Sequence, residues 1–286
     1  MKALVTGAGG QLGRALVQRA PSAAEVIGLG SGDLDVADRD AVLATIARVK
    51  PDVILNAAAY TAVDLAESEP ERARAVNDFG VSHLVAAAEA VRARVVHIST
   101  DFVFDGTRSR AYAPDDETAP LGVYGVTKLA GERHLRPKDL CVRTAWVYDA
   151  EGKNFVRTML RLMGERAELG VVADQIGSPT SAMDLADAVW GLTSGGHAGL
   201  FHFTGSGVAS WYDFAVAIRD EGVALALLDE DAARVTPILT ADYPTPAKRP
   251  AFSVLDTTKT AQALGKAAPH WRHSLTRVLE QIKAND

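Results

Sequence analysis

The chain has 286 residues, 48% of them hydrophobic and 23% charged, with a formal net charge of −6 at pH 7. This size allows one or two domains with a large core, and its scattered Lys and Arg argue against a protein that follows nucleic-acid backbones. No apolar run approaches the ~20 residues of a membrane span, the first run is too short for a signal peptide, and the single cysteine, Cys141, permits no disulfide framework. We expect a cytoplasmic protein without nucleic-acid or membrane partners.

Short apolar runs alternate with helix-length amphipathic segments through the first half of the chain. The runs are rich in Val, Ile and Leu, as in strands covered on both faces, and they are KALVT (2–6), EVIGL (25–29), DVILN (52–56), RVVHIS (94–99) and LCVRTAW (140–146). The predicted helices between them are QLGRALVQRA (11–20), DRDAVLATIARV (38–49), the segment 69–91 and the segment around Tyr124. This alternation predicts an α/β fold with a Rossmann-like doubly wound parallel sheet, which binds ligands beyond the carboxyl ends of its strands.

The alternation weakens after about residue 148. Further helices are predicted at 154–163, 181–192, 210–220 and 271–284, a strand at 199–205, and an irregular, proline-rich stretch at 242–256. We therefore expect a Rossmann domain of approximately 1–147 plus part of 184–208. A smaller C-terminal substrate-binding region, approximately 148–183 and 209–286, should lie over the ligand edge of the sheet.

A glycine-rich turn, VTGAGGQLG, follows the first strand and opens a helix. Gly7 can form the tight turn, Gly10 lets a pyrophosphate approach the backbone, and Gly13 allows close contact between helix and strand. The free amides at the start of the following helix favour that anion. The turn therefore predicts a dinucleotide cofactor.

The second strand ends at Leu29-Gly30-Ser31, with no acid at its tip to bind the adenosine ribose and no Arg to bind a 2′-phosphate. Asp33 and Asp35 follow slightly later, and Asp35 with Val36 could instead line the adenine. The sequence leaves NADH and NADPH equally open, and predicts weak discrimination between them.

Other strand ends carry groups suited to chemistry. Small residues, 57–59, follow the third strand, where a flat cofactor can approach the backbone, and Thr100 and Asp101 follow the fourth. Tyr124 and Lys128 are four residues apart, so they share one face of a helix. In a parallel sheet, these strand ends, the glycine turn and this helix can converge on one crevice, which favours an active site.

Each feature also has a structural interpretation. The alanines can be close packing, Thr100 and Asp101 can be caps, and a Tyr-x-x-x-Lys spacing arises easily by chance. In that interpretation Tyr124 and Lys128 lie on the polar face of their helix, and Val126, Leu129 and Ala130 form its packed face.

The T-G-x-x-G-x-x-G turn, the hydroxyl residue after the fourth strand and Tyr-x-x-x-Lys together resemble an extended short-chain dehydrogenase/reductase. The stretches GQLG, NAAAYTAVD, AESEPE, VHISTDFVFDG, VYGVTKLAGE, RTAWVY, NFVRTMLRL, DQIGSPT, SWYDFA and YPTPAKRP occur in order through most of the chain. They resemble the dTDP-4-dehydrorhamnose reductase family. The resemblance implies NADPH- or NADH-dependent reduction of the 4-keto group of dTDP-4-dehydro-L-rhamnose to dTDP-L-rhamnose, for carbohydrate biosynthesis.

The resemblance also implies roles for individual residues. The catalytic residues would be Tyr124, Lys128 and Thr100. Together with the glycine turn and strand ends above, the cofactor-binding residues would be Gly7, Gly10, Gln11, Leu12, Asp35, Val36, Ala57, Ala58, Ala59, Tyr60, Thr61, Tyr124 and Lys128. The substrate-binding residues would be Thr100, Asp101, Trp146 and Arg249. Tyr124 would donate a proton to the carbonyl oxygen, Lys128 would lower the pKa of Tyr124, and Thr100 would orient the carbonyl.

Some relatives bind a divalent cation, but Ala15 and Met183 stand at the positions expected to hold it, so no metal is predicted. The chain is expected to be a monomer or a homodimer with a small-molecule nucleotide sugar as its substrate. Three alternatives stay open: reduction of another dTDP-4-keto-6-deoxy sugar, a sugar-nucleotide epimerase or dehydratase, and a non-catalytic regulatory subunit resembling that of methionine adenosyltransferase.

Overall fold

A six-stranded parallel sheet forms the centre of the computed structural model, which describes residues 1–285. With all strands numbered in chain order, this sheet contains β1 (Lys2–Thr6), β2 (Glu25–Leu29), β3 (Val53–Asn56), β4 (Arg94–Thr100), β5 (Leu140–Thr144) and β10 (Gly199–His202). Their spatial order is β10-β5-β4-β3-β1-β2. The chain reverses its direction of winding beside β1, so a ligand crevice is expected at the carboxyl ends of β1 and β3.

Helices cover both faces of this sheet. The α-helices of residues 1–285 are α1 (Gln11–Gln18), α2 (Arg39–Val49), α3 (Val63–Ala66), α4 (Pro70–Arg74), α5 (Gly80–Ala90), α6 (Val123–Glu132), α7 (Phe155–Glu165), α8 (Ala182–Ser194), α9 (Trp211–Ala224), α10 (Thr258–Leu264) and α11 (Trp271–Asn285). The α1 and α8 helices pack together over one face, and α2 and α5 pack over the other. The predicted α/β fold with a doubly wound parallel sheet is confirmed.

A separate apolar core lies among the later elements. It joins α7, α9 and α11 through buried residues that include Val156, Met163, Phe214, Ile218 and Leu279. Three short strand pairs accompany it: β12 (Arg234–Ile238) with β7 (Glu168–Val172), β11 (Ala209–Ser210) with β8 (Ile176–Gly177), and β6 (Val147–Tyr148) with β9 (Thr180–Ser181). The sequence did not predict these pairs. Within residues 1–285 no helix combines the length and the apolarity needed to cross a membrane.

The single helix predicted over 69–91 is interrupted. Residues Ala75–Phe79 form a π-helical segment between α4 and α5. The wider turn directs Asn77 toward the chain that follows β3, where its side-chain oxygen accepts a hydrogen bond from the Tyr60 amide at 2.9 Å and its nitrogen donates to the Tyr60 carbonyl at 3.1 Å. The interruption therefore fixes the loop after β3 at the ligand edge.

The packed face of α6 differs from the expected one. Val126 is 43% exposed, whereas Lys128 is only 2% exposed. The helix approaches its neighbours through glycines: a Cβ on Gly125 would lie 2.2 Å from the Phe102 carbonyl oxygen, and one on Gly131 would lie 2.2 Å from the Asn77 carbonyl oxygen. The prediction that Val126 faces the core was wrong, because close backbone contact rather than a large apolar side chain sets this face.

Candidate active site

A cavity of about 630 Å³ opens at the carboxyl edge of the sheet. The structure brings twelve of the predicted site residues to its wall: Gly10, Gln11, Leu12, Ala57, Ala59, Thr61, Thr100, Asp101, Tyr124, Lys128, Trp146 and Arg249. Five others are placed outside the wall: Gly7, Asp35, Val36, Ala58 and Tyr60. Residues that lie more than 200 positions apart in the chain thus share one concave surface.

The glycine turn is shaped by backbone contacts that leave no room for side chains. Gly7 has φ of 67°, and a Cβ there would lie 2.6 Å from the Ala58 amide nitrogen. A Cβ on Gly13 would lie 2.0 Å from the Gly7 carbonyl oxygen. Gly10 is the N-cap of α1, and its lack of a side chain leaves the helix without a side-chain cap. The free amides at this end suit a pyrophosphate.

The cavity wall holds buried polar atoms that have no hydrogen-bond partner. Among residues 1–285 there are five such side-chain atoms, and four belong to this wall: Gln11 Oε1, Arg14 Nη2, Asp101 Oδ2 and Thr144 Oγ1. Buried polar atoms are costly unless they are satisfied. The residues present therefore fit a polar ligand such as a nicotinamide dinucleotide.

Two basic residues on this wall were missed by the sequence reasoning. Arg14 lies in the first turn of α1, where its Nη1 donates to the Gly9 carbonyl at 2.7 Å. Lys153 reaches the cavity from the chain after β6. Arg14 could have been found from its place directly after Gly13, whereas nothing in the local sequence marks Lys153.

An acidic side chain, that of Asp33, lies at the tip of β2. Asp33 folds back so that its Oδ2 accepts a hydrogen bond from the Gly30 amide at 2.9 Å. The expectation of no acid at this tip was wrong, because it considered only the residues adjacent in sequence. Asp35 is exposed and its Oδ1 accepts from the Ala37 amide, while Val36 is buried in the core beneath α2 and α5.

Thr100 and Tyr124 lie close to each other on the cavity wall. Thr100 Oγ1 donates to Asp101 Oδ1 at 3.1 Å and accepts from the Phe102 amide at 3.2 Å, which starts the short 3-10 turn after β4. The Tyr124 ring packs edge-to-face on Phe102, with centroids 5.5 Å apart. These contacts hold a hydroxyl group and a phenol at the same side of the cavity.

Burial is the main cause of the pKa shifts of Tyr124, Asp101 and Lys128. It raises the pKa of Tyr124 to about 12, the Asp101 carboxylate adds to the rise, and the Thr100 hydroxyl opposes it without cancelling it. Burial also raises the pKa of Asp101 to about 6. The expectation that Lys128 lowers the pKa of Tyr124 is therefore not met. Lys128 Nζ instead donates to the Ile98 carbonyl at 2.6 Å, and burial lowers the pKa of this amine to about 8.

Aromatic rings form part of the cavity wall. Trp146 has φ of 50° and stacks on Trp211, with ring centroids 3.6 Å apart and planes within 9°. Gly177 makes room for the Trp146 ring, since a Cβ there would lie 2.6 Å from it. Trp146 was expected among the substrate-binding residues, and it lines the cavity.

A second cavity of about 360 Å³ adjoins the first. Trp211 and Arg249 line both cavities. Arg249 forms a two-pronged ion pair with Asp64, with nitrogen–oxygen distances of 3.1 and 2.8 Å, which lowers the pKa of the Asp64 carboxyl. This pair ties the proline-rich stretch 242–256 to α3 at the edge of the site.

Residues 1–284 match the family model described as the RmlD substrate binding domain. The chain belongs to this family. Relatives include a dTDP-4-dehydrorhamnose reductase from Aggregatibacter actinomycetemcomitans, 47% identical over 96% of this chain and 97% of the relative. Another, from Escherichia coli K12, is 44% identical over 87% of this chain and 85% of the relative.

Solved structures of dTDP-4-dehydrorhamnose reductases are also similar to this chain. A dTDP-4-dehydrorhamnose reductase from Clostridium acetobutylicum is 42% identical, with a TM-score of 0.92 over 99% of this chain and 100% of that one. One from Bacillus anthracis, in complex with NADP, is 34% identical, with a TM-score of 0.91 over 98% of this chain and 99% of that one. The resemblance inferred from the sequence is confirmed. In the described part of the chain, no group of three or more His, Cys, Asp or Glu is placed to hold a metal ion.

Proposed function

We propose that this chain uses NADPH or NADH to reduce the 4-keto group of dTDP-4-dehydro-L-rhamnose to dTDP-L-rhamnose. The observation that carries the proposal is the convergence of Thr100, Tyr124 and Lys128 beside the glycine turn. This convergence occurs in a chain that is 47% identical to a dTDP-4-dehydrorhamnose reductase. The chain is thus an NAD(P)-dependent oxidoreductase of carbohydrate biosynthesis.

Tyr124 is the proposed proton donor. Because burial raises its pKa to about 12, the phenol stays protonated at neutral pH and can give its proton to the carbonyl oxygen as the carbon receives a hydride. The Thr100 hydroxyl orients that oxygen; one donor directed at a developing oxyanion contributes about 3 kcal/mol. Bound NADPH or NADH would supply the hydride.

Lys128 is proposed to restore the proton that Tyr124 has given away. Both groups lie on one face of α6, one turn apart. A pKa of about 8 is close to neutral pH, which suits a group that must both gain and lose a proton. An exposed lysine, with a pKa near 10.4, would release a proton far more slowly.

The ligands are proposed to lie across both cavities. The amides of the glycine turn, with Arg14 and Lys153, would hold the cofactor pyrophosphate. The Trp146–Trp211 pair and Asp101 would hold the sugar, Arg249 the substrate pyrophosphate, and the second cavity the thymidine. Gly7, Asp35, Val36, Ala58 and Tyr60 lie outside the cavity wall, and their cofactor-binding roles stay predictions.

We also propose the division expected from the sequence. The sheet and its helices, approximately 1–147 plus part of 184–208, would bind the cofactor. The residues around the separate apolar core of α7, α9 and α11, approximately 148–183 and 209–286, would bind the sugar nucleotide. We propose that the protein works in the cytoplasm, as a monomer or a homodimer.

A non-catalytic regulatory subunit is not favoured, because the full set of Thr100, Tyr124 and Lys128 is present and the relatives are named reductases. Another dTDP-4-keto-6-deoxy sugar is the competing substrate. The test supplies enzymatically made dTDP-4-dehydrorhamnose or dTDP-4-dehydro-6-deoxyglucose and follows the oxidation of NADPH and of NADH. We expect rapid oxidation only with the first sugar. Faster oxidation with the second would overturn the substrate assignment.

A further inference from the structure

A row of polar side chains runs through the sheet behind Lys128. Thr6, Asn56 and His97 are register partners on β1, β3 and β4, so their side chains share one face of the sheet. Each of them is at most 1% exposed. His97 faces α6, where its Nε2 lies 3.3 Å from Lys128 Nζ. The mechanism proposed above gives no role to these three residues.

The backbone at Ala58 sets the direction of the hydrogen bonds in this row. Its backbone amide, which can only donate, points at Asn56 Oδ1 at 3.2 Å, and the Thr6 hydroxyl donates to the same oxygen at 2.7 Å. The amide group of Asn56 is thereby fixed with its oxygen toward β1 and its nitrogen toward β4. Turning it over would place two donors against each other.

The orientation of Asn56 fixes the tautomer of His97. Asn56 Nδ2 lies 3.0 Å from His97 Nδ1 and donates to it. Burial holds the pKa of His97 well below its usual range, so the ring is neutral and carries one proton. With Nδ1 as the acceptor, that proton lies on Nε2 and points at Lys128.

The amine of Lys128 therefore lies between an acceptor and a donor. The Ile98 carbonyl accepts one of its N–H groups at 2.6 Å, and the His97 Nε2–H faces it from the other side. An ammonium group has three donors and no acceptor, so a facing N–H opposes it. An uncharged amine has a lone pair that can accept that N–H.

We infer that His97 is a positioning residue for Lys128: held by Asn56 in the Nε2–H tautomer, it presents a donor to the amine and favours its uncharged form. This inference rests on the role given to Lys128 in the proposed function. Other ionisable groups also lie near this amine. Glu132 on α6 favours the charged form; Cys141 on β5 also faces the amine, but burial raises the pKa of its thiol and keeps it uncharged; and Tyr124 and Asp101 lie on the cavity side.

The first test needs no substrate or cofactor. Nitrogen NMR of the free protein, with labelled histidine, reports which ring nitrogen of His97 carries the proton. We expect a protonated Nε2 and an unprotonated Nδ1. The reverse pattern would overturn the inference, whether or not the chain reduces dTDP-4-dehydrorhamnose.

The second test reverses the direction of the hydrogen bond between residue 56 and His97. Asn56→Asp places an acceptor beside Nδ1, so His97 should carry its proton there and turn an acceptor toward Lys128. The charged amine should then persist to higher pH, and the alkaline limb of the kcat profile should move up by about one unit, with KM unchanged. Thr6→Val is the matched control, because the Ala58 bond still orients Asn56. It should keep the wild-type tautomer and profile.

A further variant separates the loss of the His97 N–H donor from the charge that Asn56→Asp adds. His97→Phe removes the donor without adding a carboxylate, and should also move the alkaline limb upward. Both Asn56→Asp and His97→Phe could lose stability and still keep the wild-type alkaline limb of the kcat profile. That result would make His97 a structural residue and overturn the inference. Absence of any reduction by the wild-type protein would instead contradict the proposed function and leave the NMR result standing.

Discussion

Asp101 occupies a position that is costly for the fold. The side chain is 2% exposed, and burial raises its pKa from 3.8 to about 6. Because the folded state favours the protonated acid, stability is lost as pH rises through this interval and stays lost above it. Asp101→Asn should therefore increase the free energy of unfolding by up to roughly 3 kcal/mol above about pH 6.

Urea unfolding of the cofactor-free protein at several pH values measures this effect. The advantage of the variant should grow between pH 4 and 6 and then become constant. An advantage that does not change with pH would mean that Asp101 is not the titrating group. The same substitution should weaken substrate binding, if Asp101 contacts the sugar as proposed.

Lys128 should show the opposite pH dependence. Burial lowers its pKa from 10.5 to about 8, so the folded state favours the uncharged amine. The stability that this contributes is present above pH 10.5 and lost as pH falls through 8. Lys128→Met should stabilise the cofactor-free protein at neutral pH by up to roughly 3 kcal/mol, less the lost bond to the Ile98 carbonyl. Thermal unfolding across this range checks it, and a destabilised variant at neutral pH would contradict it.

At the scale of single residues, the sequence was informative where the chemistry depends on close spacing. Tyr124 and Lys128 could be found because four residues make one helical turn, and Gly7, Gly10 and Gly13 because they flank one turn. Lys153, Trp211 and His97 reach the cavity or its lysine from distant segments, so no local pattern indicates them.

The approach of α6 to the π-helical segment depends on Gly131. A Cβ there would lie 2.2 Å from the Asn77 carbonyl oxygen, which belongs to the backbone and cannot move aside cheaply. Gly131→Ala should destabilise the fold by about 1–3 kcal/mol and lower kcat, because α6 carries both Tyr124 and Lys128.

Gly164→Ala is the matched control for this prediction. Gly164 lies in α7, and a Cβ there meets nothing within 4 Å. This variant should be neutral or stabilised by up to about 1 kcal/mol, with kcat unchanged. Chemical unfolding of the two variants side by side measures the difference. Equal stabilities would show that close contact does not set the position of α6.

Among the elements, the five strands predicted in the first half agree with β1 to β5 within two residues, since compact runs of Val, Ile and Leu define them. The π-helical segment could not be predicted, because Asn77 is held there by Tyr60 and by Thr127 from α6. The β7–β12 pair was missed because it joins segments far apart in the chain, and β12 contains Pro237. Its pairing depends on the tertiary fold.

The acid at the tip of β2 changes what is expected of the whole cofactor site. Asp33 is held beside the Gly30 amide, close to the glycine turn, where a carboxylate can bind ribose hydroxyls and repel a 2′-phosphate. Asp33→Ser should therefore raise the affinity for NADPH relative to NADH by about tenfold. Asp38→Ser, which changes only the cap of α2, is the control. Titration of both cofactors into each variant measures the ratio, and an unchanged ratio would remove Asp33 from cofactor selection.

Across the whole molecule, the cavity is closed by early and late segments together. The glycine turn and Tyr124 come from the part with the central sheet, while Trp211 and Arg249 come from the later chain. In the proposed function, this arrangement would place a nucleotide sugar against a dinucleotide at the switch point of the sheet.

The reduction of dTDP-4-dehydrorhamnose by the wild-type protein and by Tyr124→Phe, with product identified by NMR, tests the central claim most directly. The variant keeps the ring and its contact with Phe102 but loses the proton donor. We expect the wild type to form dTDP-L-rhamnose, and the variant to do so with a kcat lower by a factor of about 100–10,000 and a nearly unchanged KM. Equal turnover by the two proteins, or no dTDP-L-rhamnose from either, would contradict the account.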